Sequence, residues 1–240
     1  MKTKNFKRVM VWELPVRIFH WLNVLAILVL VITGFLIANP PAILSSAEAT
    51  NLHSFGIIRA THFIAAYVFF FVMILRLYWA FAGNQFAHWK AFWPFNKKMW
   101  NNFWHVLKID ILLMNEKEED VTNISIGHNS VAKLSYIVMF FLALIMVFTG
   151  FGLYADMSTW WLPKLFDWVP AFLGGDHFTR QIHHLTMWGF IFFSMVHVYL
   201  VLYHDWLEGR GEVSSMFGGY KFVRKDRFKD SEEEESLESK

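Results

Sequence analysis

A chain of 240 residues that is 55% hydrophobic and 19% aromatic, with 18% charged residues and a mean hydropathy of +0.34, is too apolar for an ordinary soluble domain. The formal net charge of +2 points to no particular partner, and the absence of cysteine excludes disulfides, thiolate-held iron–sulfur clusters and thioether-linked haem. An electron passing through this chain has to travel by a cofactor held non-covalently.

The basic N-terminal segment (Lys2, Lys4, Lys7, Arg8, Arg17) leads into an apolar run over 18–38, long enough to cross about 30 Å of hydrocarbon. A cleaved signal peptide would also start basic and could end at Ala47-Glu48-Ala49. This run is too long for one, and it contains His20. A loop with the single basic residue Arg59 precedes the second apolar run, 60–82, which contains His62. The middle loop holds Lys90, Lys97, Lys98, Lys108 and Lys117. Within it, Trp100, Phe103, Trp104, Leu107 and Ile111 recur at helical spacing between Asn96 and Met114. That spacing predicts a helix lying in the cytoplasmic interface, not a fifth span. Glu116 to Asp120 reads as a solvated charged connection, and Gly127-His128-Asn129-Ser130 offers N-cap residues for the third run, 134–154.

The next loop carries Trp160, Trp161, Leu162, Leu165, Phe166, Trp168, Val169 and Phe172, interrupted by Pro163, Pro170 and Gly174-Gly175. Such a surface suits lipid headgroups or a docked soluble partner. It has two basic residues, Lys164 and Arg180, and leads to the fourth run, 182–203. The segment after residue 203 carries seven Lys/Arg, and toward its end lies an acidic stretch, Asp230 to Glu235, that reads as disordered. The positive-inside rule places both termini and the middle loop in the cytoplasm. The expected fold is therefore an all-α, four-helix transmembrane bundle over 1–210 followed by a cytoplasmic tail over 211–240.

Ionisable residues inside such runs are expensive and mark function. His183 and His197 lie 14 residues apart on one run, on a helix a rise of about 21 Å and a rotation roughly 40° short of four turns. One helix thus offers two imidazoles on nearly one face at two depths, as two stacked bis-histidine haems require. Pairing by depth gives His62 with His183 on the outer side and His20 with His197 on the cytoplasmic side. His184 turns about 100° away from His183, and His53, His88, His105, His128, His177 and His204 fall in loops or at span ends.

His20, His62 and His183 each follow an arginine by three residues: Arg17, Arg59 and Arg180. The spacing puts each guanidinium beside its histidine and toward the membrane surface, where it can bind a haem propionate in a bidentate fork. Arg17 is then expected at the inner haem, Arg59 and Arg180 at the outer one. Gly34, Gly150 and Gly152 fit either haem clearance or close helix packing. Polar groups such as His204 and Asp205 are candidates to bring protons to a quinone reduced near the inner haem. The residues alone thus describe an intramembrane electron carrier with two b haems. A proton-coupled transporter with relay histidines, or a cofactor-free anchor, are the readings from other classes.

Arg17-Ile18-Phe19-His20-Trp21-Leu22, with Thr33-Gly34 further along, resembles the first-span signature of the cytochrome b subunit of membrane-bound nickel–iron uptake hydrogenases. Arg180-Gln181-Ile182-His183-His184-Leu185, continuing through Trp188 and Phe193 to His197, is similar to that family's fourth-span signature, with Gln181 standing where a small residue is expected. Gly127-His128-Asn129 resembles the family's loop, and the likeness extends to about Phe222. The resemblance implies a four-helix di-haem cytochrome b in the bacterial inner membrane. Such a subunit anchors the periplasmic hydrogenase small and large subunits, takes electrons from the small subunit's iron–sulfur chain and reduces a quinone. The cytochrome b subunit of a formate dehydrogenase or another membrane dehydrogenase is the alternative within the same class.

Overall fold

The computed structural model describes residues 6–41, 53–92, 130–208 and 211–224. In chain order these form β1 (Phe6–Met10), α1 (Leu14–Ala38), α2 (Ser54–Ala82), a short 3-10 turn (Trp89–Phe92), α3 (Ser130–Ala155), α4 (Trp161–Lys164), α5 (Trp168–Phe172), α6 (Asp176–Glu208), α7 (Glu212–Gly218) and β2 (Tyr220–Arg224). The helix expected over Asn96–Met114, the charged connection, the Gly127-His128-Asn129 loop and the acidic end of the tail lie outside the described residues.

Four of the helices are long and apolar enough to cross a membrane, and the chain is a multi-pass membrane protein. Each of α1, α2, α3 and α6 starts before the matching hydropathic run, because hydropathy marks the hydrocarbon segment whereas the helix begins in the interface. Pro15 sits in the first turn of α1, where its missing N–H costs nothing. Along these helices Leu25, Ile64, Phe141 and Phe192 are exposed, as lipid-facing side chains are.

The chain divides into two compact units. One comprises Ile18–Tyr78 and Tyr136–Met195. Its core is Ala26 of α1, Phe69 of α2, Ala143, Val147 and Phe151 of α3, Phe190 of α6 and Leu162 of α4. Lipid is as apolar as these side chains, so helix association rests on close contact. The small Ala26 and Ala143 permit it, and aromatic pairs fill the remaining space: Phe69 with Phe190 (ring centroids 6.0 Å apart) and Phe151 with Tyr67, Phe70 and Phe166 (5.3, 5.2 and 5.5 Å). The apolar loop expected as one surface is divided in its roles. Leu162, Pro163 and Val169 are buried, whereas Trp160, Trp161, Trp168 and Phe172 remain exposed.

The other unit comprises Met1–Arg17, Trp79–Ser135 and Val196–Lys240. In it β1 pairs antiparallel with β2, from Phe6 opposite Arg224 to Met10 opposite Tyr220. The Val11 and Trp12 amides donate to the Gly219 carbonyl at 2.9 and 3.0 Å. Gly219 closes α7 at φ +85°, and a Cβ there would lie 2.6 Å from the Trp12 carbonyl, so only glycine fits. The Glu13 carboxylate accepts from the Trp79 indole and the Asn84 amide, both at 2.9 Å, while the Asn84 side chain donates to the Val11 carbonyl at 3.1 Å. Lys221, 6% exposed, pairs with Glu212 at 2.6 Å. A two-stranded sheet is marginal alone. These contacts tie it to the end of α2 and to α7.

Candidate haem-binding site

The site lies within the Ile18–Tyr78 and Tyr136–Met195 unit. His62 of α2 and His183 of α6 are half-buried and within electrostatic range of each other. Each is held by a threonine from a neighbouring helix. Thr33 Oγ1 of α1 lies 2.8 Å from His62 Nδ1, and Thr149 Oγ1 of α3 lies 2.8 Å from His183 Nδ1.

The direction of these two hydrogen bonds follows from the threonines' other partners. Thr33 Oγ1 donates to the Val29 carbonyl at 2.6 Å, and Thr149 Oγ1 to the Ile145 carbonyl at 2.6 Å, the back-bond available to threonine within a helix. A hydroxyl has one hydrogen, so what it presents to the imidazole is a lone pair. Nδ1 of each histidine therefore carries the proton and donates it. In a neutral imidazole that leaves Nε2 with a free lone pair, the state required of a metal ligand.

The glycines resolve into separate roles. A Cβ on Gly150 would come within 3.1 Å of His183 Cε1, so the helix α3 backbone leaves room for that imidazole. A Cβ on Gly34 would meet His62 Cε1 at 3.6 Å and Met187 Sδ at 3.7 Å, ordinary contacts. Gly152 faces α5 instead, with Phe166, Val169 and Pro170 atoms at 3.1 Å, and serves helix packing.

This arrangement fits haem. His62 and His183, each with its Nδ1–H engaged by a threonine, would hold a haem through Nε2, and the haem would supply a one-electron couple. Among the described residues no group of three or more His, Cys, Asp or Glu side chains is placed to hold a bare metal ion.

The remaining predicted residues have the following surroundings. His20, half-buried on α1, meets Trp21 edge-on at 5.2 Å. His197 is exposed on α6, fourteen residues beyond His183 on the same continuous helix. Arg17 donates to the Phe217 carbonyl at the end of α7. Arg59 reaches Met157 Sδ and lies over the Phe63 ring at 5.9 Å. Arg180 is exposed and lines a shallow pocket with His177, Gln181, His184, Leu185 and Trp188. His184 meets Phe35 and Trp188 edge-on at 6.0 and 6.4 Å, away from the Thr149 contact.

Sequence reasoning missed Thr33 and Thr149. The signal was present as a repeated Thr-Gly pair, Thr33-Gly34 on the first span and Thr149-Gly150 on the third. It also passed over Arg76 of α2, whose guanidinium sits over the Tyr136 ring of α3 at 5.2 Å.

The family model "Prokaryotic cytochrome b561" matches residues 11–219. A Cupriavidus necator protein named "Probable Ni/Fe-hydrogenase B-type cytochrome subunit" is 37% identical over 223 residues, 91% of this chain and 88% of that relative. A Rhodobacter capsulatus protein of the same name is 35% identical over 91% of this chain and 83% of its own length. In Escherichia coli K12 a "Probable Ni/Fe-hydrogenase 1 B-type cytochrome subunit" is 34% identical over 92% of this chain and 93% of its own. A b-type cytochrome carries haem b without a thioether link, in keeping with a chain that has no cysteine. With matches of this extent, the chain belongs to the prokaryotic cytochrome b561 family and to the family of Ni/Fe-hydrogenase B-type cytochrome subunits.

Proposed function

We propose that this chain is the membrane-anchoring cytochrome b subunit of a nickel–iron hydrogenase, holding two b haems and carrying electrons from the periplasmic small and large subunits to the quinone pool in respiratory hydrogen oxidation. The observation that carries the reading is the His62–His183 pair, each imidazole held through Nδ1 with Nε2 left for iron. The relatives' names supply the hydrogenase.

His62 and His183 would hold the outer haem, His20 and His197 the inner one. Support for the inner pair comes from helix register. Gly34 of α1 faces His62, and His20 precedes it by fourteen residues; His197 follows His183 by the same interval. Both inner histidines thus share a helix face with a residue of the outer site, about 21 Å away along the axis. When bound, each haem supplies a one-electron ferric/ferrous couple. By their three-residue spacing from the histidines, Arg59 and Arg180 would serve the outer propionates and Arg17 the inner ones; the Lys/Arg distribution supports cytoplasmic termini, and the kinship to hydrogenase cytochrome subunits supports the bacterial inner membrane.

Membranes containing the hydrogenase and this chain should couple hydrogen oxidation to quinone reduction. Deleting the chain should abolish that coupling while hydrogen oxidation with a soluble artificial acceptor persists. Undiminished hydrogen-to-quinone activity without the chain would overturn the proposal.

A further inference from the structure

Two helices of the site, α1 and α3, carry neither proposed ligand of the outer haem, yet each devotes a Thr-Gly pair to one. Thr33 accepts from His62 and Gly34 adjoins the same ring; Thr149 accepts from His183 and Gly150 clears space for that ring. The two threonines are 7% and 2% exposed, and their geometry agrees in the 2.8 Å contact to the imidazole and the 2.6 Å back-bond to the carbonyl four residues earlier. Ordinary helix packing does not require this double use of one hydroxyl.

We infer that Thr33 and Thr149 are positioning residues that fix the ring orientation of the two axial histidines and set the redox balance of the haem they hold, an inference that rests on the assignment of His62 and His183 as its ligands. An acceptor on the far ring nitrogen strengthens the imidazole as a donor and so favours ferric iron. A hydroxyl oxygen is a neutral acceptor, gentler than the carboxylates that often occupy this place, and its hydrogen is committed to the backbone. It pulls on the Nδ1 proton without taking it. β-Branching limits the threonine rotamers, so the oxygen stays aimed at the ring. The pair thereby imposes one orientation and a moderate, matched electron-donating bias on both sides of one iron.

The test uses the full chain purified with its haems, as Thr33→Val, Thr149→Val and the corresponding serine variants. Valine keeps the shape and removes the acceptor; serine restores it. Each valine variant should shift the reduction equilibrium of one and the same haem about fivefold toward the ferrous form, about 40 mV upward, and alter its ferric low-spin resonance as the ring is freed. The serine variants should retain the wild-type potential and resonance. Haem lost from a valine variant but kept in its serine counterpart also supports the inference. Haem bound with unchanged potential and resonance in both valine variants overturns it and leaves the proposed function standing, as does equal haem loss in valine and serine variants. Shifts on two different haems would support the hydrogen bonds and overturn the His62–His183 pairing. A wild-type chain without a b-type spectrum would overturn the proposed function and this inference with it.

Discussion

Replacing His183 with alanine is expected to lower the haem content of the purified chain from about two per chain to about one, since an axial histidine bond is what holds a b haem in place of a covalent link. His62→Ala should leave the same residual spectrum, and the double variant should be no worse than either single one, because both side chains are proposed to serve one iron. His184→Ala is the control. Its ring lies against Phe35 and Trp188, not against Thr149, so haem content should stay at the wild-type level. Haem quantified after extraction, together with the dithionite-reduced spectrum, distinguishes the outcomes. If His62→Ala and His183→Ala left different residual spectra, the two histidines would belong to different haems.

Gly150→Val should produce a comparable loss by a steric route. A Cβ at this position already approaches His183 Cε1 to 3.1 Å, tighter than ordinary contact, and valine adds two methyl groups beyond it. The imidazole must then turn away from its Thr149 partner, and haem affinity should fall about tenfold to a hundredfold, the usual cost of disturbing a ligand's supporting shell. Gly34→Ala should keep its haem, because the nearest atoms sit at 3.6 and 3.7 Å. Gly152→Ala should lower thermal stability more than haem content, since its neighbours are the Phe166 carbonyl, Val169 and Pro170, not an imidazole. Measuring haem content and thermal unfolding of the three variants side by side separates ligand clearance from helix packing. Wild-type haem affinity in Gly150→Val would show that the space beside His183 is unimportant.

What was legible in the sequence depended on how local its cause is. The four long helices follow from uninterrupted apolar runs, a property of each segment alone. His62 and His183 stood out because an ionisable side chain inside such a run is costly wherever the helix packs. Thr33 and Thr149 did not, for two reasons. Threonine satisfies its own hydroxyl on the preceding turn and is ordinary within a membrane helix. Its second use depends on which helix lies beside it, α2 beside α1 and α6 beside α3, and no residue within a single span encodes that. The strands Phe6–Met10 and Tyr220–Arg224 were hidden by the same logic: each is only five residues long, and its partner lies at the far end of the chain. The α4 and α5 helices were concealed by Pro163 and Pro170, which read as breaks in a loop yet sit within four- and five-residue helices whose Leu162 and Val169 are buried.

The most direct test of the central claim is the haem stoichiometry and redox titration of the purified full-length chain. Two haems b per chain, titrating as two separable couples of which one alone responds to substitution of His62 or His183, is the result predicted here. A single haem per chain, or none, would contradict it.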